Sequence, residues 1–210
     1  MTYYGNVTTA RRYTGFGTSD FSDSEVEDYL DDATLLFLDE VAVRRVREEV
    51  EGSVNGSNKE FELAMPPVAD SDFDKEIGTA DVMVEYLYNN SYTSLAIASL
   101  DPWNGWFELS SAPASGGTVI ASYWAYFNPE TYVGINTDWS LVDLAVSLLA
   151  GQLLIEHEFL FTPSSLGLGS LRFSWTTSSR AISDLRRLNA LYLEVLGRIR
   201  RGFYSIGETE

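Results

Sequence analysis

Carboxylates are the residues of this sequence whose types and spacing come nearest to a chemical site. The run FSDSEVEDYLDDATLLFLDE at 21–40 is rich in aspartate and glutamate and contains no basic side chain. Glu25, Asp28, Asp32 and Asp39 recur at helical spacing, so they share one helix face and could chelate a cation. No histidine or cysteine joins them, and carboxylates suit the positive N-terminal end of a helix. We therefore interpret them as the solvated face of an amphipathic helix.

A second acidic run, DSDFDKEIGTAD at 70–81, resembles a calcium loop more closely. Five of its residues have the spacing of calcium ligands: Asp70, Asp72, Asp74, Glu76 and Asp81. Two features depart from such a loop, because Lys75 stands where the turn requires glycine and Asp81 replaces a bidentate glutamate. We interpret the run as an acidic surface turn and expect no metal, while cation binding by the first three aspartates stays open.

The sequence contains no recognisable catalytic constellation. It has no cysteine and a single histidine, His157, flanked by Glu156 and Glu158 at the end of an apolar segment. These three residues could form an acid–base pair, but no nucleophile is evident beside them. Phosphate-binding, dinucleotide-binding, zinc-protease and serine-hydrolase motifs are not found. We therefore expect no enzymatic activity and no cofactor.

The balance of charge is strongly acidic. Thirty-one acidic residues face fourteen basic ones, only Lys59 and Lys75 are lysines, and the net charge is −17. Salt screens the self-repulsion of such a chain, so the composition indicates a halophilic source. It argues against a nucleic-acid-binding surface, which needs clustered basic side chains. Residues 20–51 and 52–138 carry net charges of −9 and −10, whereas residues 139–207 carry +2.

Hydrophobic periodicity predicts an α+β fold in which a small bundle of three main helices is interrupted by an antiparallel β module. Residues 1–20 lack periodicity and predict an extended arm. The helical domain comprises 21–52 and 135–202, with a capping box at Ser22 and Glu25 opening a helix that Gly52 ends. The apolar stripe of this helix includes Leu36 and Val46, and a similar stripe marks the last helix, from about 180 to 201. The inserted β module occupies 53–134, with strands at 60–64, 81–88, 94–100, 106–110 and 118–127. A tail follows at 203–210.

The most apolar stretch, at 139–155, is interrupted by Asp143 and Gln152. It therefore predicts a buried core helix rather than a membrane span. The N-terminal residues lack the apolar core of a secretory signal. We expect a soluble chain, intracellular at synthesis, that does not bind a membrane.

Two sets of residues are candidates for contact with partners. Trp103 and Trp106 lie at a predicted turn of the β module, where exposed tryptophans can stack on sugars. We favour the alternative that they hold the module against a neighbouring protein surface or fill its small core. The end of the chain combines arginine with aromatic and aliphatic residues, which is the composition of an interface anchor. The residues of this predicted docking site are Arg198, Arg200, Arg201, Phe203, Tyr204 and Ile206.

The segment YTGFGTSDFSDSEVEDYLDDATLLFLDEVA resembles the opening of head–tail connector (adaptor) proteins of tailed viruses, in which a short arm leads into an acidic first helix. The segments VNGSNKEFELAMPPVAD and FELSSAPASGGTVIASYWAYF are similar to a β module of tail and connector proteins. Together these segments span roughly two-thirds of the chain. The size of the β insertion departs from the smallest, all-helical adaptors.

The resemblance implies a non-enzymatic structural protein at the head–tail interface of a virion, assembled in the host cytoplasm. Adaptors of this kind form a ring of twelve-fold symmetry beneath the portal protein, and their C-terminal tails dock on the portal. A tail or stopper protein is the partner on the other side, and DNA passes through without specific binding. Taken together with the acidic composition, the resemblance implies that the source is a virus of a halophilic archaeon. The alternative is a virion or tail-side module that binds a glycan or a protein through Trp103 and Trp106.

Overall fold

The structure, a computed structural model, describes residues 3–158 and 179–201. In these residues five α-helices and two antiparallel sheets confirm the α+β class. The helices are α1 (Val7–Thr14), α2 (Asp23–Val41), α3 (Pro129–Thr137), α4 (Trp139–Glu156) and α5 (Ser179–Arg201). The strands are β1 (Ala42–Glu49), β2 (Glu60–Glu62), β3 (Met83–Tyr88), β4 (Ser91–Leu95), β5 (Ile97–Asp101), β6 (Trp106–Leu109) and β7 (Thr118–Tyr126).

The chain divides into two compact units. The first, here called the helical unit, comprises residues 3–37 and 138–199 of the described chain. The second, here called the β unit, comprises residues 38–137 and the end of α5 from Arg200. Each unit has buried apolar side chains of its own.

The N-terminal segment is helical and anchored, which corrects the extended arm predicted for 1–20. Asn6 caps α1, because its side chain accepts a hydrogen bond from the Thr9 N–H. The backbone N–H of Gly5 donates to Asp143 Oδ1 at 2.9 Å, and that of Asn6 donates to Ser147 Oγ at 2.9 Å. These bonds tie the segment to α4. Apolar periodicity is weak in this segment because α1 has only eight residues.

The longer helices of the helical unit follow their apolar patterns. The predicted capping box opens α2: Ser22 N–H donates to Glu25 Oε2 at 2.7 Å, and Glu25 N–H donates to Ser22 Oγ at 3.3 Å. The buried residues of α2 within this unit are Val26, Leu30, Ala33, Thr34 and Phe37. Asp138 caps α4 and accepts from the Ser140 N–H.

Helix α4 is the most apolar of the described helices, and ten of its residues are buried. Among the described residues it is the one helix that is long and apolar enough to cross a membrane by length and composition alone. In α5 the buried side chains are Leu188, Tyr192, Val195, Leu196 and Ile199.

The first predicted helix ends earlier than expected, because residues 42–49 form strand β1 instead of continuing to Gly52. The strand pairs antiparallel with β7, and Ala42 lies opposite Tyr126. Val46, expected on the apolar helix stripe, is 63% exposed at an irregularity in this ladder. Pairing with a distant strand therefore overrides a local spacing that also suits a helix. The sheet structure consequently begins in the segment predicted as helical, and α3 lies partly in the segment predicted as β.

The β unit contains a four-stranded sheet in the order β1-β7-β3-β4 and a three-stranded sheet in the order β2-β6-β5. The inward residues of the two sheets form one apolar core. Phe61 and Phe107 stack in it with ring centroids 5.9 Å apart. Four predicted strands each contain an observed one, whereas the run at 94–100 spans the end of β4 and most of β5.

Candidate functional site

The solvent face of α2 contains apolar as well as acidic side chains. Glu25, Asp28, Asp32 and Asp39 are all exposed, in agreement with their interpretation as a solvated face. Leu35 is 50% exposed among them. Helical spacing places Leu35 one turn from Asp32 and from Asp39, so it is surrounded by carboxylates. The face could therefore receive a partner that presents both apolar and basic groups.

The acidic loop at 70–81 brings together the three aspartates that the sequence singled out. One ligand oxygen of each of Asp70, Asp72 and Asp74 lies within 4.8 Å of the others. Asp70 is fully buried, and its two oxygens accept the backbone N–H groups of Phe73 at 2.7 Å and Lys75 at 2.8 Å. Its carboxylate therefore already accepts hydrogen bonds from two backbone N–H groups of its own loop.

The backbone of this loop is shaped around that carboxylate. Phe73 and Lys75 have φ angles of 66° and 70°, in the left-handed region that non-glycine residues seldom adopt. At the far end Asp81 is buried, and its Oδ2 accepts the Gly78 N–H at 2.8 Å, while its Oδ1 accepts from Ser71. Burial raises the pKa of Asp81. Asp81 therefore binds the backbone of the loop, and does not stand as an outward calcium ligand.

His157 lies in a cavity of about 270 Å³ within the helical unit. The cavity is lined by Phe21, Glu25, Asp28, Tyr29, Asp32 and His157. The ring of His157 is 6.0 Å from that of Phe21 and 5.9 Å from that of Tyr29, centroid to centroid. Aromatic rings beside carboxylates form an environment that suits a cationic group. The residues that line the cavity include no serine, threonine or cysteine, so none of these nucleophiles lies beside His157 in the cavity.

Trp103 lies in a turn that Asp101 organises, and Trp106 begins the strand that follows it. Asp101 Oδ1 accepts the backbone N–H groups of Trp103 at 3.1 Å and Asn104 at 3.2 Å. The side chain of Asn104 donates to Asp101 Oδ2 at 2.8 Å, and this bond is the main reason why the pKa of Asp101 is lowered. Trp103 packs its ring 5.2 Å from that of Tyr132. Trp103 and Trp106 are each 41% exposed, so both present apolar surface to solvent.

Trp106 shares the outer face of the three-stranded sheet with carboxylates. Phe61 and Phe107 point into the core, so alternation places Glu60, Glu62 and Glu108 on the opposite face. Glu60 lies directly opposite Glu108, and Glu62 pairs with Glu51 in a β-bridge. Among the described residues these four glutamates form no salt bridge. The face therefore concentrates uncompensated negative charge.

The predicted docking site at the end of α5 is partly outside the described residues. Phe203, Tyr204 and Ile206 lie there, as does the whole tail at 203–210. Arg198 is exposed and forms a 3.9 Å ion pair with Glu194 one turn earlier. Arg201 is also exposed.

Arg200, by contrast, takes part in the structure of the β unit. One of its guanidinium nitrogens, Nη2, donates to the backbone oxygen of Glu40 at 2.8 Å and lies 3.7 Å from its carboxylate. A cation at the C-terminal end of a helix is favourable, and Glu40 is the penultimate residue of α2. Arg200 is therefore already engaged within its own chain.

Sequence reasoning missed two of these features. The exposure of Leu35 and the cavity around His157 depend on which faces of α2 and α4 meet. The apolar spacing of α2 gave a partial signal, but it assigned Leu36 to the core, and Leu36 is 47% exposed. Comparisons of the chain with protein-family models, with curated proteins and with solved structures found no match.

Proposed function

We propose that this chain is a structural virion protein, a head–tail adaptor that forms a ring between the portal and the tail. The observation that carries the proposal is the amount of apolar surface on so acidic a chain. Among the described residues, twelve large apolar side chains are exposed: Leu35, Leu36, Val46, Met83, Tyr88, Tyr92, Trp103, Trp106, Phe127, Val133, Ile182 and Leu193. Where exposed apolar groups lie together on a surface, they mark a site that an assembly covers.

The fold is compatible with the expected adaptor architecture. We further propose that α2, α4 and α5 are the three main helices of the bundle and that the β unit is the insertion between α2 and α4. The acidic α2, which follows α1 in the helical unit, is one of the features on which the resemblance to connector proteins rests. The proposed source is a virus of a halophilic archaeon, and the virion is assembled in the host cytoplasm.

The proposed contact with the portal uses the end of the chain. Arg198 and Arg201 are exposed, and Phe203, Tyr204 and Ile206 supply the apolar part of the anchor. Arg200 is exposed as well, although its guanidinium also binds Glu40 within the chain. The other side of the ring meets a tail or stopper protein. DNA passes through without specific binding, because an acidic surface repels phosphate.

Portal binding by variants of the chain tests the proposal. The full chain, the chain truncated after Gly202 and the double variant Arg198→Ala/Arg201→Ala are mixed with the portal protein of the same virus in molar salt. We expect the first to bind in a closed ring and the other two to fold but not to bind. Arg186→Ala is the matched control, since it removes one exposed arginine from the same helix. Loss of binding in this control, or retained binding in the truncated chain, would contradict the assignment.

The exposed tryptophans favour one alternative, a virion module that binds a glycan or another protein through its β unit. Aromatic side chains on a rigid turn provide flat apolar surface at little entropic cost. Under this alternative Trp103→Ala and Trp106→Ala abolish binding to immobilised glycans or to a tail protein, and truncation after Gly202 has no effect. Under the adaptor proposal the truncation abolishes portal binding, and neither tryptophan variant affects glycan retention.

A further inference from the structure

The outer edge of β4 is an unpaired sheet edge. Strand β4 is the last in the order β1-β7-β3-β4 and therefore has one neighbour, β3. The side chains of Ser91, Tyr92, Thr93 and Ser94 are all exposed. Within the part of the chain that the structure describes, no strand or loop is hydrogen-bonded through its backbone to the outer side of β4. A free edge of this kind is a template for another strand.

The turn before β4 shows which backbone groups face outward. Asn89 and Asn90, with φ angles of 49° and 61°, form a two-residue turn that places Tyr88 opposite Ser91. The hydrogen bond that closes such a turn joins Tyr88 and Ser91, so the ladder bonds to β3 fall at Ser91, Thr93 and Leu95. The N–H and C=O groups of Tyr92 and Ser94 consequently point away from β3.

The edge is free of the charges that protect other sheet edges from pairing. Residues 88–100 include no charged side chain, and none of them is buried. By contrast β1 carries five charged residues and an irregular ladder after Arg45, and β2 carries Glu60 and Glu62. The fourth edge, β5, ends in Asp101 and has an irregular ladder after Ile97. Charged side chains and bulges are common protection for edges. In a chain of net charge −17, an exposed charge-free strand is the edge that another strand can approach without meeting like charge.

We propose that two copies of this chain associate by antiparallel pairing of their β4 strands across a two-fold axis. The contact is self-complementary, since the outward groups of Tyr92 and Ser94 in one copy meet those of the other. Every cross-strand neighbour in it is neutral, so the large net charge of each copy is kept away from the contact. Pairing of β2 with its own copy would instead place glutamates opposite one another.

The proposal does not rest on the adaptor function. A two-fold contact closes after two copies and does not occur between neighbours in a ring of purely rotational symmetry, so the pairing concerns the free chain and a ring would use a different surface. The apolar residues beside the strand strengthen the contact: Tyr92 lies on the outer face of the sheet, and the Arg47 guanidinium is 3.9 Å from the centroid of its ring. An added strand would cover this ring and gain apolar burial as well as backbone hydrogen bonds.

The mass of the full chain in molar salt, measured by light scattering over a range of concentrations, tests the inference. We expect the parent to reach twice the chain mass. Ser94→Pro removes an outward N–H and leaves the bonds to β3 in place, so it should raise the dimer dissociation constant at least ~10-fold. Ser94→Thr keeps the N–H and is the matched control. Ser94→Lys is a second test. Within one chain the new lysine lies opposite Glu85, which favours the fold, whereas in the paired form the lysines of the two copies come together and repel.

The outcomes separate clearly. Dimers in the parent and in Ser94→Thr, with monomers in Ser94→Pro and Ser94→Lys, support the pairing, provided that circular dichroism shows all four chains folded. A parent that stays monomeric at every concentration overturns the inference. So does an oligomer whose mass is the same in all four chains, because the contact would then lie elsewhere. Portal binding is measured separately, so failure of the adaptor proposal leaves this result unaffected.

Discussion

Replacing Glu108 by glutamine should stabilise the protein at low salt and have little effect at high salt. Glu108 lies directly opposite Glu60 on the outer face of the three-stranded sheet. Carboxylates at such positions are about 6 Å apart, and in a water-like dielectric two unit charges at that distance repel by ~0.7 kcal/mol. The Debye length falls from about 10 Å at 0.1 M salt to about 3 Å at 1 M. The repulsion is therefore ~0.4 kcal/mol at the lower and ~0.1 kcal/mol at the higher salt concentration.

Urea unfolding of the parent and of Glu108→Gln at these two salt concentrations measures the effect. Salt also strengthens apolar burial, but that contribution is common to both chains and cancels in the difference between them. Glu194→Gln is the control, because it removes the same charge from a residue that is ion-paired with Arg198. We expect a slight loss of stability there, of about 0.3 kcal/mol at low salt.

Two results would refute the reasoning on the glutamates. The first is a gain in the free energy of unfolding of Glu108→Gln that is as large at high salt as at low salt. Salt screens repulsion between exposed charges, so such a gain could not come from relief of that repulsion. The second is an equal gain in Glu194→Gln, which would show that only the net charge of the chain matters. Either result would remove the carboxylate face as a physical reason for a salt requirement.

Further predictions concern the fold. Gly5→Ala should lower the free energy of unfolding by about 2 kcal/mol in thermal melts, because the new Cβ would lie 2.8 Å from Leu30 Cδ2 at a φ of +91°; an unchanged melt would contradict this. Burial, and then the hydrogen bond to Glu48, raises the pKa of Tyr123 to about 12 from 10.0. The stabilisation from the neutral phenol is thus complete below pH 10 and lost towards pH 12, and Tyr123→Phe should lack this loss in urea titrations at stepped pH. Ser22→Ala should cost about 1 kcal/mol through the lost cap, and no cost in urea unfolding would argue against the capping box.

The elements that the sequence predicted well are those whose own pattern is long enough to specify them. The capping box at Ser22, the apolar run of α4 and the stripe of α5 determine helices without reference to distant residues. Several strands were also identified, because β-branched and aromatic runs bounded by turn residues are local signals. The α+β class follows from these elements.

The elements that were missed depend on partners far away in the sequence. Strand β1 exists because it pairs with β7, some eighty residues later, although its apolar spacing also suits a helix. Helix α1 is short and is held by Asp143 and Ser147. The sequence also did not show which partners the candidate docking arginines have within the chain: Arg200 binds the end of α2, and Arg198 pairs with Glu194.

The acidic loop shows the same limit for sites. The alternation of Asp70, Asp72 and Asp74 was visible in the sequence, and their ligand atoms do lie together. The sequence did not show that Asp70 would be buried with both oxygens bound to backbone N–H groups. The role of each carboxylate depends on the left-handed turns at Phe73 and Lys75, which residue types alone do not predict.

The assembly formed by the chain with its portal tests the central claim most directly. The full chain and the portal protein of the same virus are mixed in molar salt, and the complex is counted by native mass measurement and imaged by electron microscopy. We expect a closed ring of this chain on one face of the portal, with the rotational symmetry of the portal, and we expect truncation after Gly202 to abolish it. A chain that stays separate from the portal, or that binds it equally well without residues 203–210, would contradict the adaptor proposal.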